Sequence, residues 1–268
     1  MLRSLNDLEH YRVAATDGDI GRAVDFLVDD ERWAIRYLVV ETNGFLAGRQ
    51  VLISPIAITD AEWPVQVIHL GLTRDKVRHS PGVDQHKPVS RQQEEIQNDY
   101  YGYPSYWGSG VGLWGMGPYP SALLNNNWKG TPPKPSASAD VHLRSATEVR
   151  GYHIEGLDGS IGHVADFIVD ESDWALRYLV IDTSNWWVGK KVVIAPVWAS
   201  KVNWAARTVE VQLTRAAIKG SPAWRGPGAA NREYEQLLYE YYGKPGYWAP
   251  HDNPEAALRT VPSALPPL

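Results

Sequence analysis

Apolar and polar residues alternate over 22–28, and the polar stretch Asp29-Asp30-Glu31-Arg32 separates that run from a β-branched and aromatic one over 33–40. Two such runs around an acidic loop predict a β-hairpin. With the loop centred on Asp30-Glu31, Asp25 stands opposite Arg36 and Phe26 opposite Ile35. A cross-strand ion pair of that kind contributes about 0.2–1 kcal/mol and helps hold the register. Shorter strands are predicted over 49–54, 56–59 and 65–70, with Pro55 at a corner, because proline has no N–H to give to a ladder. Thr73 reads as the N-cap of a short helix that ends at Ser80, before Pro81. Ser90 and Gln93 have capping-box spacing and open a second helix toward Tyr101, with Gly102 where a C-terminal cap belongs. Short strands at this spacing, punctuated by Gly and Pro, predict a small β-barrel with short α elements.

The whole pattern then recurs. Shifted by 141 positions, residues 2–107 fall on 143–248 without a gap, so Leu2-Arg3-Ser4 meets Leu143-Arg144-Ser145 and Tyr106-Trp107 meets Tyr247-Trp248. The second copy repeats the hairpin with Asp166 opposite Arg177, the corner at Pro196, the cap at Thr214, the stop at Ser221-Pro222 and the Gly243 helix end. A unit this long is no solenoid repeat, so the chain reads as one small domain duplicated. The expected organisation is a first barrel with its helix and aromatic segment over 1–107, a linker over 108–140, a second such unit over 141–248 and a mobile tail over 249–268. The two barrels are expected to pack about a pseudo-two-fold axis, since duplicated domains often fuse an ancestral dimer. The linker is rich in Gly, Pro, Ser and Asn, yet its Trp114, Tyr119, Leu123, Leu124 and Trp128 are too apolar for a freely solvated segment, so parts of it should lie along a barrel.

Charge separates the copies. The chain carries a formal −5, residues 2–107 hold 11 Lys/Arg against 16 Asp/Glu, and residues 143–248 hold 12 against 12. An acidic chain without a basic stripe argues against nucleic-acid binding. The absence of cysteine removes disulfides, thiolate metal sites and a cysteine nucleophile, and the opening MLRSLNDLEHYRV lacks the apolar core of a secretory signal. No apolar run is long enough to span a membrane, so a soluble, cytoplasmic protein is expected.

Few motifs carry chemistry. Gly110-Val111-Gly112-Leu113-Trp114-Gly115 matches a dinucleotide-binding glycine pattern but lacks the strand before it and the helix after it that the motif requires. His79 and His86 in the first copy correspond to Gly220 and Pro227, and His153 and His163 correspond to Arg12 and Arg22, so no histidine ligand set recurs. Asp17, Asp25 and Asp29 recur as Asp158, Asp166 and Asp170, but acids beside turns mostly serve backbone bonds and pairing. No catalytic residue, cofactor or metal is assigned.

Each copy ends in aromatics: Tyr100, Tyr101, Tyr103, Tyr106 and Trp107 in the first, Tyr241, Tyr242, Tyr247 and Trp248 in the second. These rings either fold back over the barrel or form an exposed surface for a partner, as Tyr and Trp do at interface hot spots. Taken together, Asp17-Gly18, Ile20-Gly21, Asp25 to Asp30, Trp33, Arg36 to Val40, Gly48-Arg49, Leu52 to Pro55, Leu72-Thr73-Arg74 and Ser80-Pro81, with their counterparts in the second copy, resemble the PRC-barrel family. That resemblance implies a tandem of barrels similar to the cytoplasmic domain of the photosynthetic reaction centre H subunit. It implies a non-enzymatic scaffold or adaptor for a protein partner, with the aromatic endings and the acidic face of the first copy as contact surfaces. Three alternatives accompany it: an accessory of a photosynthetic or redox membrane complex, a ligand or enzyme site between the barrels, and, last, an RNA role. The partner is unidentified, peripheral docking on a membrane complex stays open, and so does a homo-oligomer.

Overall fold

A twelve-residue strand lies at the centre of each half, β3 (Gly18–Asp29) in the first and β10 (Gly159–Asp170) in the second. The computed structural model describes residues 1–43, 48–82, 89–107, 113–114, 119–123, 143–183 and 190–248. In the first half β1 (Leu2–Ser4) leads into a single helical turn, α1 (Leu5–Leu8), and then β2 (Arg12–Ala15), β3, β4 (Ala34–Thr42), β5 (Gln50–Ile53), β6 (Ile58–Glu62) and β7 (Val67–Leu70). Helices α2 (Arg74–Arg78) and α3 (Arg91–Tyr101) follow. The second half repeats the order with β8 (Leu143–Ser145), α4 (Ala146–Val149), β9 (His153–Gly156), β10, β11 (Leu176–Asp182), β12 (Lys191–Ile194), β13 (Ala199–Asn203), β14 (Thr208–Val211), α5 (Arg215–Gly220) and α6 (Arg232–Tyr241).

The molecule is mainly β with short helices, but no barrel forms. Each half builds a seven-stranded mixed sheet along the open path β5-β4-β3-β2-β7-β6, or β12-β11-β10-β9-β14-β13, and the terminal strands of the path do not pair. Pro55 shows why. Ser54 caps a 3₁₀ turn, Pro55–Ala57, that carries the chain off the β5 edge before β6 begins, and Pro196–Trp198 does the same in the second half. The predicted strand over 56–59 is therefore a 3₁₀ turn followed by a strand.

The seventh strand of each sheet comes from the other half. β1 pairs antiparallel with β10 (Leu2 with Asp170, Arg3 with Val169, Ser4 with Ile168), and β8 pairs with β3 (Ser145 with Leu27, Arg144 with Val28, Leu143 with Asp29). Between these exchanged strands the two hairpin loops meet. Ala34 bridges Ala175, the Ile35 amide donates to the Trp174 carbonyl at 2.8 Å, and the Leu176 amide donates to the Trp33 carbonyl at 2.7 Å. Trp33 and Trp174 adopt left-handed backbone angles, φ 52° and 59°, to aim those carbonyls across the join. Leu5, Val28 and Trp33 of the first half belong to the same hydrophobic cluster as Ala146, Val169 and Trp174 of the second. The halves therefore share one core.

Long strands hold this arrangement by close backbone contact. A side chain on Gly21 would place its Cβ 1.9 Å from the Glu41 carbonyl oxygen, and one on Gly162 would place it 2.1 Å from that of Asp182. Only glycine fits there. The helix ends follow the expected chemistry: the Thr73 and Thr214 hydroxyls each accept an amide bond at 3.2 Å, Ser90 accepts from the Gln93 amide at 3.4 Å, and Gly102 is left-handed at the end of α3. The tail over 249–268, most of the linker, His86 and all but two residues of the glycine pattern at 110–115 lie outside the described residues.

Candidate functional site

Asp25 and Asp166 do not face Arg36 and Arg177. In the hairpin Asp25 lies opposite Val39 and Phe26 opposite Leu38, and Arg36 falls in a bulge between the Leu27–Tyr37 and Val28–Ile35 pairs. The tight loop and the bulge together displace the simple register. Freed from that pairing, Asp25 caps the other half. It accepts from the Ser145 hydroxyl at 2.5 Å, the Thr147 amide at 3.1 Å and the Thr147 hydroxyl at 3.0 Å. Asp166 reciprocates, accepting from the Ser4 hydroxyl at 2.5 Å and the Asn6 amide at 3.1 Å. Burial raises the Asp166 carboxyl above its ordinary value, against the opposing bonds from Ser4, Phe167 and Asn6. Two further ion pairs straddle the seam at related positions, Arg3 with Glu171 at 2.6 Å and Arg144 with Asp30 at 3.6 Å. The matched guanidiniums stack on Trp63 and Trp204 at 4.2 and 4.4 Å.

Arg36 turns inward instead. It donates to Asp29 Oδ2 through Nε at 2.9 Å and Nη2 at 2.7 Å, and through Nη1 to the Leu113 carbonyl at 2.7 Å. Its guanidinium lies 3.7 Å from the Tyr106 ring centroid and 4.8 Å from that of Trp114. Burial pushes the Asp29 carboxyl up, but Arg36 and the amides of Arg32 and Glu31 together outweigh it and hold the carboxyl below its ordinary value. In the second half Arg177 reaches Asp170 at 3.4 Å and also pairs with Asp173, and it stacks on Tyr247 at 3.9 Å. The first-half position equivalent to Asp173 is Arg32, so the two arginine sites differ in charge.

Tyr106 and Tyr247 of the aromatic endings are tied to these arginines. Tyr106 is buried and donates to Glu94 Oε2 at 2.8 Å, and Tyr37 bonds the same carboxylate. Tyr247 and Tyr178 donate to Glu235 Oε1 at 2.9 and 2.8 Å. Tyr101 and Tyr103 stack at 5.6 Å and pack on the core, as do Trp107 and Tyr242, while Trp248 packs on Tyr239 at 5.0 Å. The hydroxyls of Tyr100 and Tyr241 donate to the carbonyls of Lys76 and Ala217 at 2.6 and 2.8 Å. Of the nine rings only Tyr241 is exposed. Tyr106 is therefore a buried clamp, and the other rings, apart from Tyr241, are half-buried. Glu94 and Glu235, which anchor them, escaped the sequence reading, although a carboxylate at the same place in both copies was a signal.

The remaining chemistry-bearing group lines a hollow of about 330 Å³ in the first half, beside the turn that enters β3 and against α2. Its walls include Asp17, Asp19, Thr42, Asn43, Arg74, Asp75 and Arg78, over Ile20 and Val77. Asp17 Oδ1 accepts the Arg74 amide at 2.7 Å, and Asp158 does the same for Arg215. These two acids hold a helix start. Asp19 pairs with Arg12 at 3.2 Å and Asp75 with His79 at 3.4 Å, both at the surface. In the second half the equivalents of Asp19 and Asp75 are Ser160 and Ala216, while Arg74 and Arg78 become Arg215 and Lys219. The charged side chains of this hollow therefore sum to a formal −1, and the residues at the equivalent positions of the second half sum to +1. Among the described residues no group of three His, Asp or Glu side chains could hold a metal ion, and no helix is long and apolar enough to cross a membrane.

No family model matches this chain, and no curated protein matches it in sequence. Together with the open sheets, this overturns the PRC-barrel resemblance. The readings that depended on it fall as well: the scaffold or adaptor of that family, the likeness to the reaction centre H subunit and the tie to photosynthesis.

Proposed function

We propose that this is a cytoplasmic protein that acts by binding and not by catalysis, and that the first-half hollow takes a cationic group presented by a protein partner. The observation that carries the reading is the difference in charge between the lining of this hollow and the equivalent positions of the second half. The two halves keep the basic side chains at Arg74 and Arg78, as Arg215 and Lys219, and the helix-holding acid at Asp17, as Asp158, but only the first half adds Asp19 and Asp75. Retained residues build the turn and helix, and the added carboxylates sit on exposed rims where they cost nothing in folding. The exposed walls also favour a protruding side chain over an enclosed small molecule, since small-molecule sites bury most of their ligand. A non-catalytic role agrees with where the displaced protonation equilibria lie. They are chiefly buried tyrosines such as Tyr106 and Tyr178, pushed up by burial and bonded to Glu94 and Glu235. Such groups are not poised to exchange protons near neutral pH.

The test exchanges the two sets of charges. Asp19→Ser with Asp75→Ala should abolish salt-sensitive capture of a partner by the immobilised chain while leaving the far-UV circular dichroism unchanged. Ser160→Asp with Ala216→Asp should not. Equal capture by both variants would remove the reading. Running the same capture against the purified chain decides whether the partner is a second copy of the protein.

A further inference from the structure

The corner of each half carries an apolar 3₁₀ turn, and the middle residue of the turn is half-buried in the first half but exposed in the second, where Pro196 is buried and Trp198 packs on Tyr239 and Tyr242. In the first half the turn Pro55–Ala57 packs against a second 3₁₀ turn, Pro120–Leu123, contributed by the segment between the copies. Pro120 is buried there, in a groove whose far wall is the Glu171-Ser172 loop of the second half. The equivalent turn Pro196–Trp198 has no such partner among the described residues, and Val197, the counterpart of half-buried Ile56, is 71% exposed. β13, which begins immediately after it, is the outer strand of its sheet path. An exposed apolar corner leading into an unpaired edge is a feature that folded chains generally cover.

The sequence contains the missing cover. Pro120-Ser121-Ala122-Leu123 recurs in the tail as Pro262-Ser263-Ala264-Leu265, fourteen residues after Trp248 where the first lies thirteen after Trp107. This four-residue match lies at nearly the same distance beyond each folded half, although the residues between differ. Reach is no obstacle. Trp198 and Trp248 both pack on Tyr239, with ring centroids at 5.1 and 5.0 Å, so the tail departs beside the open corner. Its far wall would be the Asp30-Glu31 loop, which corresponds to Glu171-Ser172. We infer that the turn Pro196–Trp198 is the docking site of this chain's own tail segment Pro262-Ser263-Ala264-Leu265, as Pro55–Ala57 is of Pro120–Leu123.

The chain has no cysteine, so paired cysteines report on this directly. Val197→Cys with Ser263→Cys should form a disulfide within one chain at least about tenfold faster than Leu157→Cys with Ser263→Cys, Leu157 being a comparably solvent-open site, 62% exposed, in the turn between β9 and β10. Ile56→Cys with Ser121→Cys sets the rate for a docked pair. Equal rates for the Val197 and Leu157 pairs would overturn the inference, and so would disulfides that form only between chains. In the unsubstituted protein, deleting residues 261–268 should speed hydrogen exchange around Val197 and leave exchange around Ile56 unchanged. No change at Val197 counts against docking even if a cysteine variant misfolds.

Discussion

Replacing Arg36 with methionine isolates what the buried arginine contributes. The substitution keeps an apolar side chain of comparable length but removes three donated hydrogen bonds, two to Asp29 and one to the Leu113 carbonyl. Arg36 and Asp29 are 0% and 1% exposed, so water cannot replace the lost partner. Breaking a buried pair from one side costs about 3–5 kcal/mol, because it strands a charge. Loss of the stacking on Tyr106 and Trp114 acts in the same direction. Arg177→Met is the internal control. That side chain is 17% exposed, so its pairs with Asp170 and Asp173 are weakened by solvent and their loss should cost about 1 kcal/mol. Urea unfolding followed by far-UV circular dichroism gives both values on one protein. Adding Asp29→Asn to Arg36→Met should recover part of the loss by removing the stranded charge. If Arg36→Met costs no more than Arg177→Met, or Asp29→Asn recovers nothing, the charge-stranding argument fails.

The join between the halves and the acid limb of stability supply two more tests. Asp25→Ala and Ser145→Ala should each destabilise by about 1–3 kcal/mol, with a double-mutant coupling above about 0.5 kcal/mol because their 2.5 Å bond crosses the exchanged strand; additive losses in urea unfolding would show that β8 does not sit on β3. Asp29 is held below its ordinary value of 3.8, so its stabilisation is complete above that pH and is lost as the pH falls through its folded value. Asp166 is raised, so it acts in the opposite sense and favours the fold as it protonates first. The gap in thermal midpoint between the wild type and Asp29→Asn should therefore be widest near neutrality and narrow as the pH falls below 3.8; a gap independent of pH would contradict the assignment.

Local structure was legible wherever a residue acts on its own neighbours. Thr73, Ser90 and Gly102 were read correctly because a cap bonds the backbone within three or four residues of itself, whatever the tertiary context. The hairpin was legible as a hairpin, but the Asp25–Arg36 pair was not, because one bulge moves every later partner and periodicity carries no trace of it. Membership of a strand and membership of a sheet are also separate facts. Leu2-Arg3-Ser4 reads equally well as an edge of its own half or of the other, since both offer the same β-rich neighbour. The closed barrel was inferred from strand spacing, which is the same for an open path that ends at Pro55 and Pro196. The first-half hollow was missed because Asp17, Asp19 and Asp75 converge only when β3 and α2 meet, whereas the packing of the aromatic endings was one of the two readings their sequence offered, and the carboxylates Glu94 and Glu235 that hold Tyr106 and Tyr247 were not.

The duplication acquires a physical meaning from the exchange. The principal side chains that tie β1 to β10 have counterparts tying β8 to β3: Ser4 and Ser145 donate to Asp166 and Asp25, and Arg3 and Arg144 reach Glu171 and Asp30. A single half therefore carries both sides of the contact, the strand that leaves and the strand that receives it, which is the condition for an isologous dimer. Fusing two such units makes the partner strand intramolecular and frees the copies to differ without losing each other. The differences sit where that freedom applies. The seam is matched nearly residue for residue, whereas Asp19, Asp75, Arg32 and the covered corner at Pro55 are unlike Ser160, Ala216, Asp173 and the open corner at Pro196. Selection for pairing accounts for the first set, and only selection or drift on separate surfaces accounts for the second.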